Sequence, residues 1–123
     1  AANVATRILG FVNAPSLMQL AIAECLDECA DISVYEENRN KLMKMFDEIG
    51  FSYIEPEGAF YLFMKTPEDD KAFAEKAKKE RILLVPGSAF GCPGYARIAY
   101  CVDTKVIERS YEAFKRLAKM YED

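Results

Sequence analysis

The chain has 123 residues, no histidine and no tryptophan, and its 16 Lys and Arg against 20 Asp and Glu leave a net charge of -4. With 51% apolar and 29% charged residues, it has the balance of one folded domain spanning residues 1–123 rather than of a disordered tail. The lack of histidine excludes Ser-His and Cys-His nucleophile pairs and histidine-containing zinc sites within the chain; the acidic balance argues against a nucleic-acid partner, and no apolar stretch approaches a membrane span.

Residues 1–14 are a lead-in segment rich in Ala, Val and Ile, with no clear periodicity. The chain starts with Ala1 and shows no basic stretch followed by an apolar run, so it reads as processed or as a piece of something longer, without a signal peptide. Asn13-Ala14-Pro15 reads as a helix start with Pro in the first turn, and the helix continues to about Cys29. Leu17, Leu20, Ala21, Ala23 and Leu26 make that segment apolar over most of its circumference, which predicts packing against another body. Ser33-Val34-Tyr35-Glu36 has the spacing of a capping box. The helix it opens carries Tyr35, Leu42, Met45, Phe46 and Ile49 on one side and stops at Gly50, with Phe51 placed for a Schellman contact.

Phe51–Ile54 predicts a short strand, Pro56-Glu57-Gly58 a turn, and Ala59–Lys65 a central strand covered on both faces. Thr66-Pro67-Glu68-Asp69 predicts a helix with a Thr cap and Pro at its first position, running to about Glu80 with Phe73, Ala74 and Ala77 inward. Ile82–Val85 reads as a buried strand stopped by Pro86-Gly87, and a glycine-rich loop leads to the strand Tyr95–Val102. Asp103 caps a last helix with Ile107, Tyr111, Phe114, Leu117 and Tyr121 at helical spacing. The order α-α-β-β-α-β-β-α predicts an α+β fold, with a small, mostly antiparallel sheet of about three to four strands flanked by helices.

Four residue sets could carry chemistry. The loop Pro86–Gly94 holds three glycines but neither the Walker nor the GxGxxG spacing, and it feeds a strand, so a tight connection is favoured over a phosphate cradle. Arg97 is a charged residue in an apolar strand, on the face of Ala99 and Cys101; its partner is an internal carboxylate or the carboxylate of a ligand. None of the ten lysines lies in an apolar, pocket-like context that would depress its pKa. Cys25, Cys29, Cys92 and Cys101 are spaced too loosely for a zinc site and read as free, buried thiols of a cytoplasmic protein.

Three of these stretches, PEGAFY (56–61), ILLVPGSAFG (82–91) and GYARIA (94–99), followed by a helix with Ile107 and Leu117, resemble in order and spacing the C-terminal region of class I/II aminotransferases. These are pyridoxal-phosphate enzymes of fold type I, the aspartate aminotransferase superfamily. Asn13-Ala14-Pro15-Ser16 with Gln19 resembles the segment leading into that region. The resemblance implies that residues 15–123 form the small C-terminal domain, which closes over an active site built mainly on a larger domain that is absent here. It implies that Arg97 holds the substrate α-carboxylate and that Phe60 lies near the substrate.

The parent enzyme would transfer an amino group between an amino acid and a 2-oxo acid, as a homodimer with pyridoxal phosphate as cofactor. The family's Schiff-base lysine follows an S-x-S-K stretch, which has no counterpart here. The resemblance therefore implies no catalytic residue, no bound cofactor or metal, and no transamination by this chain alone. A non-catalytic α+β module that binds a small carboxylate is the alternative.

Overall fold

The computed structural model describes residues 2–10 and 13–122. The chain divides into two compact units, Ala1–Asp31 and Ile32–Asp123. The first holds α1 (Ala2–Ile8) and α2 (Ser16–Glu24). The lead-in segment is thus helical over much of its length, and α2 is shorter than its apolar run predicts. Its cap is Pro15, whose carbonyl accepts the Gln19 N–H at 3.1 Å, while the Gln19 side chain donates back to Ala14 O at 2.7 Å. No residue of either helix is buried, and Leu17 keeps 76% of its surface exposed. Cys25 lies at the end of α2 and Cys29 beyond it; both are exposed, as is Cys101, and the expectation of buried thiols fails for these three.

The second unit is α+β. It runs α3 (Ser33–Ile49), β1 (Tyr53–Ile54), β2 (Tyr61–Lys65), α4 (Asp70–Lys79), β3 (Val85–Pro86), a 3-10 turn (Gly87–Phe90), β4 (Tyr95–Ala99) and α5 (Thr104–Lys119). The four strands form one antiparallel sheet in the order β1-β2-β4-β3, so β2 and β4 are central and the two edge strands have two residues each. The Ile82–Val85 segment pairs only from Val85, and Pro86, expected to stop the strand, is part of it. An edge position tolerates proline because its missing N–H faces away from the ladder.

The register Leu62↔Ile98 and Met64↔Ala96 places these residues on the sheet face that carries the core. Successive strand residues alternate faces, so this face meets α3, α4 and α5 through Leu42, Met45, Phe46, Phe73, Ala77, Ile107, Phe114 and Leu117. Phe46 is fully buried and lies 5.8 Å from the Phe51 ring and 5.1 Å from Phe114. Gly50 ends α3 at φ 91, and the Phe51 N–H reaches back to Phe46 O at 2.9 Å, the Schellman bond predicted from sequence.

Two helix starts differ from expectation by a few residues. α3 begins after Ile32, with Ser33 already inside the helix. α4 is capped by Asp69, whose carboxylate accepts from Lys71 N and Ala72 N, whereas Thr66 turns its hydroxyl onto Glu68 O at 2.7 Å. A carboxylate cap satisfies two orphan N–H groups and sits at the positive end of the helix dipole, so it outcompetes the threonine three residues upstream.

One buried polar side chain ties α3 to the sheet. Asn38 sits one turn before Leu42 on the core-facing stripe, and its amide donates to Tyr100 O at 3.0 Å and to Val102 O at 2.7 Å. Those carbonyls lie just past β4, where no strand partner is available. Asn38→Ala removes both bonds, the one to Tyr100 O buried and the one to Val102 O part-buried, and is expected to cost about 1–3 kcal/mol of stability, with an unchanged slope in urea denaturation.

Candidate functional site

The face of the sheet opposite the core carries Tyr61, Phe63 and Arg97. The pairings Tyr61↔Ala99 and Phe63↔Arg97 set them side by side on the central strands. Arg97 is half-buried, and its Cζ lies 4.2 Å from the centroid of the Tyr61 ring and 4.0 Å from that of Phe90, over both ring faces. Phe90 comes from the 3-10 turn and meets Phe63 edge-on at 6.4 Å. Among the described residues, no carboxylate lies within ion-pair distance of Arg97. Of the two partners left open by the sequence, the internal one is not found. Stacked aromatic rings hold a guanidinium through its faces and leave its in-plane N–H donors for a planar acceptor.

Phe60 reaches this cluster through its neighbour: its ring lies 4.5 Å from that of Tyr61. It is 38% exposed and lines a groove of about 500 Å³ with Tyr35, Arg39, Gly58, Ala59 and Tyr100. The turn before it is pinned twice by Tyr100, whose hydroxyl donates to Ala59 O and whose N–H donates to Phe60 O, both at 3.0 Å. That pinning holds Ala59 at φ 58, a left-handed conformation costly for a residue with a Cβ. Arg97 and Phe60, the two residues singled out from sequence, thus belong to one aromatic row with Tyr61 between them.

The glycine-rich loop shapes the third side. A Cβ on Gly87 would lie 2.2 Å from Cys92 O and 2.6 Å from Tyr95 O, so only glycine lets the chain pass itself there. Gly91 closes the turn at φ 73 and Cys92 N donates to Gly87 O at 2.9 Å. Gly87 thus serves the chain's own close approach and Gly91 its left-handed turn, the features of a tight connection. The turn is tied to α4 by Asp70, which is 2% exposed and accepts the Ser88 N–H at 2.6 Å. Asp70 belongs to the acidic cluster that the sequence explains as dipole complement; Tyr61 and Phe90 have no sequence signal of their own, because only the pairing and the turn bring them to Arg97.

The lysines do not fit a covalent cofactor site. Lys41 is paired with Glu108 at 2.6 Å and Glu37 at 2.9 Å, and Lys76 with Glu68 at 2.9 Å. Hydrogen bonds donated to these carboxylates, Glu108 first for Lys41 and Glu68 for Lys76, raise both ammonium pKa values, the reverse of what an amine nucleophile needs. The other eight are exposed side chains on helices or at a strand end. Among the described residues no group of His, Cys, Asp and Glu could hold a metal ion, and no helix is long and apolar enough to cross a membrane.

The family model for aminotransferase class I and II matches residues 2–114. The chain is 38% identical over 93 residues to an aspartate aminotransferase of Thermotoga maritima, covering 75% of this chain and 24% of that protein. It is 35% identical over 91 residues to aromatic-amino-acid aminotransferase 2 of Thermococcus litoralis, covering 69% and 23%. The crystal structure of an amino transferase from Eubacterium rectale superimposes with a TM-score of 0.93 at 47% identity, over 97% of this chain and 30% of that one. The chain therefore spans about a quarter to a third of the length of these relatives.

The Asp70 carboxylate is held below the usual range, chiefly by the Ser88 backbone N–H. Its bond to the turn is then fully present above the unfolded value of about 3.9 and is lost as the pH falls through the lower folded-state value. Asp70→Asn, which keeps a neutral acceptor but no charge to titrate, is expected to flatten the acid limb of a plot of stability against pH. Urea denaturation at a series of pH values measures it.

Proposed function

This chain belongs to the class I and II aminotransferases, and we propose that it supplies the substrate-carboxylate arginine and the closing small domain of such an enzyme. The whole enzyme would move an amino group between an amino acid and a 2-oxo acid. Its pyridoxal phosphate would be held by residues outside this chain, since the S-x-S-K stretch that carries the family's Schiff-base lysine has no counterpart here. The assembled enzyme would be a homodimer acting in the cytoplasm.

One observation carries this reading: Arg97 is a cation held by two aromatic rings, with no carboxylate of its own chain among the described residues. Amino acids and 2-oxo acids share a carboxylate next to the reacting carbon. A guanidinium fork receives it in a bidentate, planar fashion that fixes the substrate's direction. The role of Arg97 is to bind and orient the substrate. Phe60, at the end of the aromatic row, offers an apolar wall to the substrate beside that carboxylate.

In an enzyme that contains this chain, Arg97→Ala is expected to lower kcat/KM for amino acids by the equivalent of about 2–5 kcal/mol, and Arg97→Lys by less, because a point charge keeps attraction but loses the fork. Steady-state kinetics decides it: an unchanged kcat/KM in Arg97→Ala removes the role.

A further inference from the structure

We propose that Asp70 is the positioning residue for the Arg97 guanidinium, acting through the 3-10 turn that carries Phe90. The proposal rests on the reading of Arg97 as the carboxylate anchor. Asp70 opens α4 but does not serve that helix's cap; Asp69 does, through Lys71 N and Ala72 N. The Asp70 carboxylate instead crosses to Ser88 N at 2.6 Å. It is buried to 2% exposure with no cation within ion-pair distance among the described residues. An ionised carboxylate in such a place is costly, and a core position has no need of one. What a charged acceptor gives in return is a short, strong, directional bond to a backbone N–H.

That bond bears on Phe90 because the turn moves as a unit. Gly87 is wedged against the Cys92 and Tyr95 carbonyls, and Gly91 closes the turn with its N–H on Ser88 O at 3.3 Å. Phe90 lies two residues from the anchored Ser88 and is 47% exposed, so burial does not fix its ring. Its position comes from the backbone of the turn and from the edge contact with Phe63. The same ring lies over the Arg97 guanidinium at 4.0 Å, and Tyr61, the other ring, is carried by the regular pairing of β2. Of the two rings that hold the arginine, one is therefore set by the sheet and one by Asp70.

The kinetic test uses an enzyme that contains this chain. Asp70→Ala is expected to raise KM for the amino acid roughly ten-fold with kcat little changed, since a loosened anchor weakens ground-state and transition-state binding alike. Asp70→Asn, which retains a neutral acceptor for Ser88, is expected to recover most of the loss. In an Arg97→Lys background, where no fork remains to be aligned, Asp70→Ala should add little. An unchanged KM, or a penalty fully retained in that background, overturns the proposal.

The second readout is independent of activity and stays informative if Asp70→Ala folds poorly, because Asp70→Asn can be read in the same way. In the 123-residue chain the Arg97 guanidinium carbon lies over two rings, so its Nε–H proton is expected to resonate upfield of ordinary arginines. Asp70 substitution should return it toward the ordinary position while the β2 and β4 amide signals stay in place; an unmoved Arg97 signal overturns the proposal. If Arg97→Ala leaves KM unchanged, the carboxylate reading fails by itself, and the resonance alone decides whether Asp70 sets the guanidinium.

Discussion

Everything in the second unit depends on the register between β2 and β4. Five pairs, from Tyr61↔Ala99 to Lys65↔Tyr95, decide which residues face the helices and which face away. Side chains alternate with a period of two, so a slip by one residue would exchange the faces entirely. Arg97 and Phe63 would enter the core, while Ala96 and Met64 would leave it. Desolvating an unpaired guanidinium costs several kcal/mol, and exposing Leu62 and Met64 adds about 1.5–3 kcal/mol for each side chain. The same alternation that builds the core thus delivers a cation to the open face, and the site and the fold cannot be separated.

Around that ladder, buried polar groups act where the ladder ends. Asn38 takes the two carbonyls beyond β4, Tyr100 holds the turn before β2, and Asp70 holds the turn before β4. Each spans a long sequence separation, and each sits beside backbone that no strand can pair. On the surface, pairs such as Arg116 with Glu80 and Lys41 with Glu108 link neighbouring helices. Solvent screens them, so they contribute little beside the core. The second unit is thus held by apolar burial and fixed in detail by three polar side chains.

The α+β class, the order of its elements, the Gly50 stop and the inward faces of α3, α4 and α5 are legible in the sequence, because hydrophobic period and terminal residues are local signals. Arg97 is legible for the opposite reason: a charge in an apolar strand is conspicuous. Asn38 could have been found as a polar residue on the Leu42–Phe46 stripe. The clamp itself could not. Tyr61 and Phe90 are two aromatic residues among many, and nothing local tells a ring that packs in the core from one that lies over a guanidinium. Asp70 next to Asp69 looks like a second helix-end acid, and only the fold shows that one caps its own helix and the other a turn 18 residues away. β2 and β3 start at Tyr61 and Val85, later than their apolar runs, for a related reason: an apolar stretch is no strand where a left-handed residue such as Ala59 or Arg81 redirects the chain.

The sheet's margins have a further consequence for how copies of this chain meet. Both edge strands, Tyr53–Ile54 and Val85–Pro86, are two residues long, and one of them includes a residue with no N–H to donate. A passing strand finds almost no open ladder to extend. Fibrillar stacking by sheet extension is therefore closed to the folded unit, even though exposed apolar side chains such as Leu83 leave its surface sticky. Any association between copies must run through side-chain surfaces, which can separate again, rather than through a shared backbone lattice, which does not.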